Sequence, residues 1–291
     1  MAWFDGFCEG IGETMIDTGE KILGAGLKVW KDSAQLVIEW TTQDPAAFGG
    51  AWGMVDNLFN MFFGIGASLM TLYFVVGWLR ESVDIRSTFN LENMFRMFVR
   101  LALTASLLTN TMSLIRSVLS LAAALAGSIG TKIATNYTAS GIFESLTEGL
   151  SGAEYIGVGL VAILVGFIGM LVIIVCGVSI VLSVMSRFFK IFICIPFAPV
   201  ALASFAGGHG LSQSGISWIK TFFAYSLEIL VIAITLVLTY QLFRSAGNLF
   251  DSDVSGLKGA VLMTVQLCCP MLAAVANVKA AESTIRKCLG L

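Results

Sequence analysis

The chain has 291 residues, 57% of them hydrophobic and 12% charged, with a formal net charge of −2 and a mean hydropathy of +0.87. A soluble globular domain carries about 25% charged residues, so this composition excludes an ordinary water-soluble fold. The slightly acidic balance leaves no electrostatic footprint for nucleic-acid binding, and the length fits one multi-span domain.

Residues 1–50 read as an external amphipathic helical region. The first twenty contain Asp5, Glu9, Glu13, Asp17 and Glu20 and no Lys or Arg. No basic segment precedes an apolar one, so the expectation is that the first span, not a cleaved leader, directs membrane insertion. Leu23, Leu27, Trp30, Ala34 and Val37 recur at 4-3-4-3 spacing, one face of a helix, with Lys21, Lys28, Asp32 and Glu39 elsewhere on the wheel. Such a helix suits the membrane surface, a copy of itself, or the same protomer. Thr41–Asp44, Pro45 and Gly49-Gly50 end it.

The remainder, 51–291, reads as a membrane domain. A first span covers about 54–79, bracketed by Trp52 and Trp78 as amphipathic rings at two interfaces, with Asp56 in its first turn. Residues 80–100 form a basic connector with Arg80, Arg86, Arg96 and Arg100. A second span, about 101–127, carries Arg116 at depth, and a break near Asn110 is an open alternative. Residues 128–154 are polar and loop-like; their Asn136-Tyr137-Thr138 sequon reads as a chance match.

From Tyr155 to Ser186 no residue is charged. A helix of that length measures about 48 Å, against roughly 30 Å of bilayer hydrocarbon. Gly159, Gly166 and Gly177 fall on one stripe of it, the pattern that lets helices approach closely in lipid. The run stops at Arg187 and Lys190, and the apolar stretch that follows is broken by Pro196 and Pro199. Residues 188–210 are short for a span, and proline removes a ladder donor, so a re-entrant or interfacial hairpin is expected, with a full kinked span as the alternative. A fourth span, about 218–240, starts at Trp218 and Lys220 and contains Glu228; a fifth, about 259–278, contains Pro270. The fold class is therefore all-α: a polytopic integral membrane protein with about five transmembrane helices plus the Pro-broken element.

Charge sets the expected orientation. Basic loops stay cytoplasmic, so the 80–100 connector is placed inside and the N-terminus, with three basic and eight acidic residues in its first fifty-three, outside. Arg187, Lys190, Lys220 and the basic tail (Lys279, Arg286, Lys287) then fall inside if 188–217 returns to the face it left.

Few residues offer chemistry. His209 is the only histidine and sits in a glycine-rich turn, and the six cysteines lack metal-ligand spacing and read as packing residues. No HExxH, GxxxxGK[ST] or GxSxG occurs, so metalloprotease, nucleotide-loop and serine-hydrolase chemistry lack their groups. No cofactor is implied. Arg116 and Glu228 are intramembrane charges of opposite sign on different spans; charges at depth are costly and are paired or functional. A direct Arg116–Glu228 pair would need tilt, because they lie at about 24 and 12 Å depth on straight helices. A small-solute or ion transporter or channel of the bacterial inner membrane is the alternative class, although paired broken helices and converging polar groups are not evident.

The segment FICIPFAPVALA (192–203), followed by Ser217-Trp218-Ile219-Lys220 and a long span, resembles the most recognisable part of the polytopic inner-membrane channel subunit of type IV secretion and conjugation systems, the TrbL-like family. The layout from about 50 to 280 is similar as well, although the external loop is shorter than in many members. The resemblance implies a non-enzymatic subunit of the bacterial inner membrane, forming a homo-oligomeric ring, thought to be a pentamer, at the base of the stalk. It implies stalk and pilus subunits, cytoplasmic ATPases and membrane lipids as partners, transient contact with transferred DNA, and support for pilus assembly and passage of DNA or protein. Expected contact residues are Leu23, Leu27 and Trp30 on the external helix and Gly159, Gly166 and Gly177 on the long span; Arg187, Lys190, Pro196, Pro199 and Trp218 form the expected structural elbow.

Overall fold

A computed structural model describes residues 2–43, 47–83, 91–130, 153–208, 210–246, 257–288 and 290. The sequon at 136–138, most of the 128–154 loop, the 247–256 loop and His209 lie outside the described residues. Among the described residues there are helices and no strands: α1 (Ala2–Thr42), α2 (Gly49–Val83), α3 (Leu91–Gly130), α4 (Ala153–Cys194), the short α5 (Ala198–Leu202) leading into a 3-10 turn (Ala203–Gly207), α6 (Gln213–Ala246) and α7 (Leu257–Cys288). Five of them contain stretches long and apolar enough to cross a membrane: Gly49–Arg80, Met94–Ile129, Ile156–Cys194, Gln213–Leu242 and Thr264–Cys288. The protein is an all-α, multi-pass membrane protein.

The helices outrun the apolar runs that announce them, because intrahelical bonding continues past the hydrocarbon limits. α3 runs unbroken through Asn110, whose side-chain amide donates to the Ser106 carbonyl at 2.8 Å, one turn back. α7 likewise continues through Pro270.

The chain divides into two compact units interleaved in sequence. Unit 1 comprises Met1–Thr41, Gly127–Val184 and Val231–Ala280; unit 2 comprises Thr42–Ala126, Met185–Leu230 and Ala281–Leu291. Within unit 1, α1 packs with α4.

In unit 1 the apolar stripe of α1 is the buried one: Leu23, Leu27, Trp30, Ala34 and Val37 are all within 4% of full burial. The helix contacts α4 in the same chain direction, Gly12 meeting Gly159, Gly19 meeting Ala162 and Gly166, Gly26 meeting Met170, and Ser33 meeting Gly177. Gly12, Gly19, Gly26 and Ser33 are spaced by seven residues, so one small side chain per two turns faces the seam. A Cβ on Gly166 would lie 2.7 Å from the Gly19 carbonyl oxygen, and one on Gly19 would lie 2.8 Å from that of Ala162. Backbones this close exclude any side chain at either position. On α4, Ile173, Cys176 and Ile180 are buried, while Leu160, Leu164, Phe167, Leu171, Val175 and Leu182 are exposed. A helix apolar on its packed and its open face alike belongs in lipid or against further protein.

In unit 2 α2 and α3 are antiparallel, with Phe74 against Phe98 (ring centroids 5.9 Å) and Asp56 opposite Arg116 (3.7 Å). Residues 188–207 follow α2 along its length. Phe188 packs on Phe48 (5.2 Å), Phe192 on Trp52 (6.2 Å) and Phe197 on Phe62 (5.0 Å). Pro199 seats on Gly66, where a Cβ would come 2.7 Å from the proline carbonyl, and the Gly207 carbonyl lies 2.8 Å from a Cβ on Gly77. Phe48 to Gly77 spans about 43 Å of helical rise. The chain then reverses, and α6 runs back antiparallel to this limb.

Candidate functional site

The elbow begins where the α4 ladder fails. Ile195 N–H still donates to Ile191 O (3.1 Å), but Pro196 has no N–H. Ala198 N–H then donates three residues back to Ile195 O at 3.0 Å instead of four back to Cys194. Pro199 falls in the first turn of α5, where its missing donor costs nothing. This leaves the Cys194 carbonyl without its helical partner, and the Trp218 indole N–H donates to it at 3.1 Å. Trp218 also stacks on Phe222, with centroids 5.4 Å apart and planes within 5°. Ser204 Oγ accepts the Gly215 N–H at 3.0 Å, a second tie between the two limbs.

Above this tie in α6 and α4 sits an ionic cluster. Arg187 Nη2 donates to Glu228 Oε1, and Nη1 donates to the Glu228 backbone carbonyl at 3.1 Å. Both side chains are almost fully buried, at 4% and 6% exposure. Lys190 pairs with Glu282 of α7, whose other oxygen accepts from Arg286 Nε at 3.1 Å. Arg286 Nη2 donates to the Tyr225 hydroxyl at 2.9 Å, and the Arg286 and Lys190 cations lie 5.5 and 5.9 Å from the Tyr225 ring centroid. Three cations and two carboxylates thus join the ends of α4 and α7 to α6. Among the described residues Arg187 Nε and Glu228 Oε2 find no hydrogen-bond partner.

The cluster resolves one open pairing and corrects one placement. Arg116 and Glu228 do not pair: Arg116 reaches Asp56 at 3.7 Å and lies 5.5 Å from the Trp52 ring centroid, while Glu228 holds Arg187. The neighbour of α3 at that level is α2, and Arg187, which reads as an interfacial anchor in sequence, is the partner buried on α6. Nor do Arg187 and Lys190 lie beside the arginine connector. Gly208 and Gly210 meet Arg100 and Arg80, whereas Phe188 meets Phe48 at the other end of α2. The limb through Pro196 and Pro199 separates the two basic groups by the length of α2.

The remaining expected residues are placed as follows. Arg187, Lys190, Pro196, Pro199 and Trp218 come together at the elbow of unit 2. Leu23, Leu27, Trp30, Gly159, Gly166 and Gly177 come together in the α1–α4 seam of unit 1, packed inside one chain, so they are not a free surface for a second copy. Sequence reasoning missed Gly66 and Gly77, the seat of the broken limb, and the heptad of small residues in α1. Their spacings, eleven and seven, were the available signals. Glu282 and Tyr225 gave none, since both resemble ordinary interfacial residues.

No family model, curated protein or solved structure matches this chain.

Proposed function

We propose that this protein is a non-enzymatic inner-membrane subunit of a type IV secretion or conjugation apparatus, assembling as a ring at the base of the stalk that supports pilus assembly and passage of DNA or protein. One observation carries the reading. The segment on which the family resemblance rests, 192–203 with Trp218, is a built device: at the proline break Ala198 N–H turns to the Ile195 carbonyl, and the tryptophan of the following helix captures the Cys194 carbonyl this frees. The exposed apolar face of α4 supplies surface for neighbouring copies. The arginine connector and the Gly207–Gly210 turn take the cytoplasmic face by the charge rule, which puts the start of α2 outside.

Deletion of the gene from a donor strain tests this directly. Conjugative transfer or effector secretion is expected to fall to background and to return with the wild-type gene. Cysteines introduced on the exposed α4 face, such as at Leu164, are expected to cross-link into a closed ladder. Undiminished transfer in the deletion strain, together with solute uptake by the purified chain alone in liposomes, would replace this reading with a transporter. A cysteine at Ser212 in a chain freed of native cysteines is expected to label only from the cytoplasmic side; external labelling reverses the orientation.

A further inference from the structure

Unit 2 contains a groove of about 530 Å³ between α3 and the turn into α6. Its walls are apolar, formed by Leu103, Leu107, Phe205 and Ile219, and its polar end carries Arg96, Arg100 and Ser212. We propose that this groove binds one anionic glycerophospholipid, with the phosphate at Arg100 and an acyl chain along α3. The inference is independent of the secretion reading and needs only that the chain is embedded in a membrane.

The cationic end is held in place by backbone conformation. Gly208 and Gly210 have φ of +76° and +91°, the left-handed region that favours glycine. A Cβ on Gly208 would fall against Arg100 Nη1, and one on Gly210 would lie 3.2 Å from Arg80 Nη1. The turn is thus bare where two guanidinium groups lie over it. Arg96 is partly committed, pairing with Glu92 at 2.6 Å. Among the described residues Arg100 and Arg80 make no ion pair, and no carboxylate lines the groove. A surplus of positive charge at one end of an apolar trough complements an amphiphile with an anionic head.

Length fits the same occupant. From Arg100 to Leu107 the helix rises about 10 Å, so the apolar wall extends from the headgroup level into the hydrocarbon. Leu103 is widely exposed at 66%, open to a chain lying alongside. A small soluble anion would leave these walls unused. A zwitterionic choline head would bring a cation toward two arginines with no acceptor for it. Basic pockets at helix ends bind anionic headgroups for this reason, each arginine contributing about fivefold in affinity.

Native mass spectrometry of the full chain in detergent, titrated with phosphatidylglycerol or phosphatidylcholine, tests the proposal. One phosphatidylglycerol is expected to bind saturably, about tenfold more tightly than phosphatidylcholine. Arg100→Gln should weaken phosphatidylglycerol about fivefold and leave phosphatidylcholine unchanged, with Arg100→Lys retaining most of the preference. Leu103→Trp fills the trough while keeping every charge, and should weaken both lipids. Equal binding of the two lipids by the wild-type chain, or wild-type affinity in both Arg100→Gln and Leu103→Trp, overturns the site. Displacement of the lipid by glycerol phosphate at equal concentration would mark a small-anion site and overturn it too. Should Arg100→Gln lose helix content, the headgroup comparison on the wild-type chain and the Leu103→Trp variant decide.

Discussion

In unit 1 the seam between α1 and α4 works by omission: Gly12, Gly19, Gly26 and Ser33 keep side chains out, and the backbones close on each other. In unit 2 the contacts are made by what is present: stacked aromatics along α2, an indole on a freed carbonyl, and charges between α4, α6 and α7. The difference follows from the helices themselves. α1 and the uncharged part of α4 offer few polar groups to each other, so close packing is what they can optimise. The region around Pro196 has backbone groups that the helix can no longer satisfy. In low dielectric such groups need specific partners.

The largest effect is expected where a partner is removed from a buried charge. Glu228→Leu leaves Arg187 buried and uncompensated, which costs about 3–5 kcal/mol. The double variant Arg187→Met/Glu228→Leu should recover most of that loss in thermal unfolding of the detergent-purified chain. A double variant no more stable than Glu228→Leu would mean that α6 depends on more than this pair.

The seam of unit 1 should break through added volume instead. Gly166→Leu drives a side chain into the Gly19 carbonyl, 2.7 Å from where its Cβ would sit. A cost of up to about 3 kcal/mol is expected, read as faster amide exchange along residues 12–33. Gly157 is the control, because a Cβ there meets nothing within 4 Å. Gly157→Ala should stabilise α4 by about 0.5–1 kcal/mol. A gain at 166 as well as at 157 would show that helix propensity, and not the close approach, governs this helix.

The same contrast explains what the sequence made readable. The membrane class, the five apolar helices and the buried stripe of α1 depend on periodicity and composition, which are local properties, and they were legible. The elbow was legible in part, because Pro196 and Pro199 announce a break wherever they occur in an apolar run. The direction the chain takes after the break was not. It depends on Gly66 and Gly77 of α2, more than a hundred residues upstream, accepting the limb. Charge pairing failed for a related reason: depth along a straight helix relates Arg116 to Glu228, but it cannot say which helices are neighbours. A tripartite contact such as Glu282 with Lys190 and Arg286 requires α4 and α7 to converge, and no spacing in the chain encodes that.

A smaller effect is expected from the hydrogen bond at the elbow. Trp218→Phe keeps an aromatic ring against Phe222 but removes the donor to the Cys194 carbonyl. Leaving that carbonyl unsatisfied costs about 1–3 kcal/mol. Hydrogen exchange in 195–207 should rise more than in α2. Unchanged protection there would mean that the seat on Gly66 and Gly77 fixes the limb without help from α6.

The smallest effect concerns the outer half of the ionic cluster, where the comparison can be made within unit 2 itself. Lys190 and Glu282 are 38% and 29% exposed, against 4% and 6% for Arg187 and Glu228. An ion pair that solvent reaches is worth about 0–1 kcal/mol, and mobile ions screen it over a Debye length of about 8 Å at physiological salt. Lys190→Ala should therefore cost less than about 1 kcal/mol. Glu282→Ala should cost more than Lys190→Ala, because it strips the carboxylate from Lys190 and Arg286 together. Raising salt from 0.05 to 1 M, about the range over which screening becomes short, should erase most of the Lys190→Ala penalty and leave that of Glu228→Leu intact. If both penalties fall together with salt, water and ions reach Arg187 as freely as Lys190, and the burial that distinguishes the two halves of the cluster has no energetic consequence.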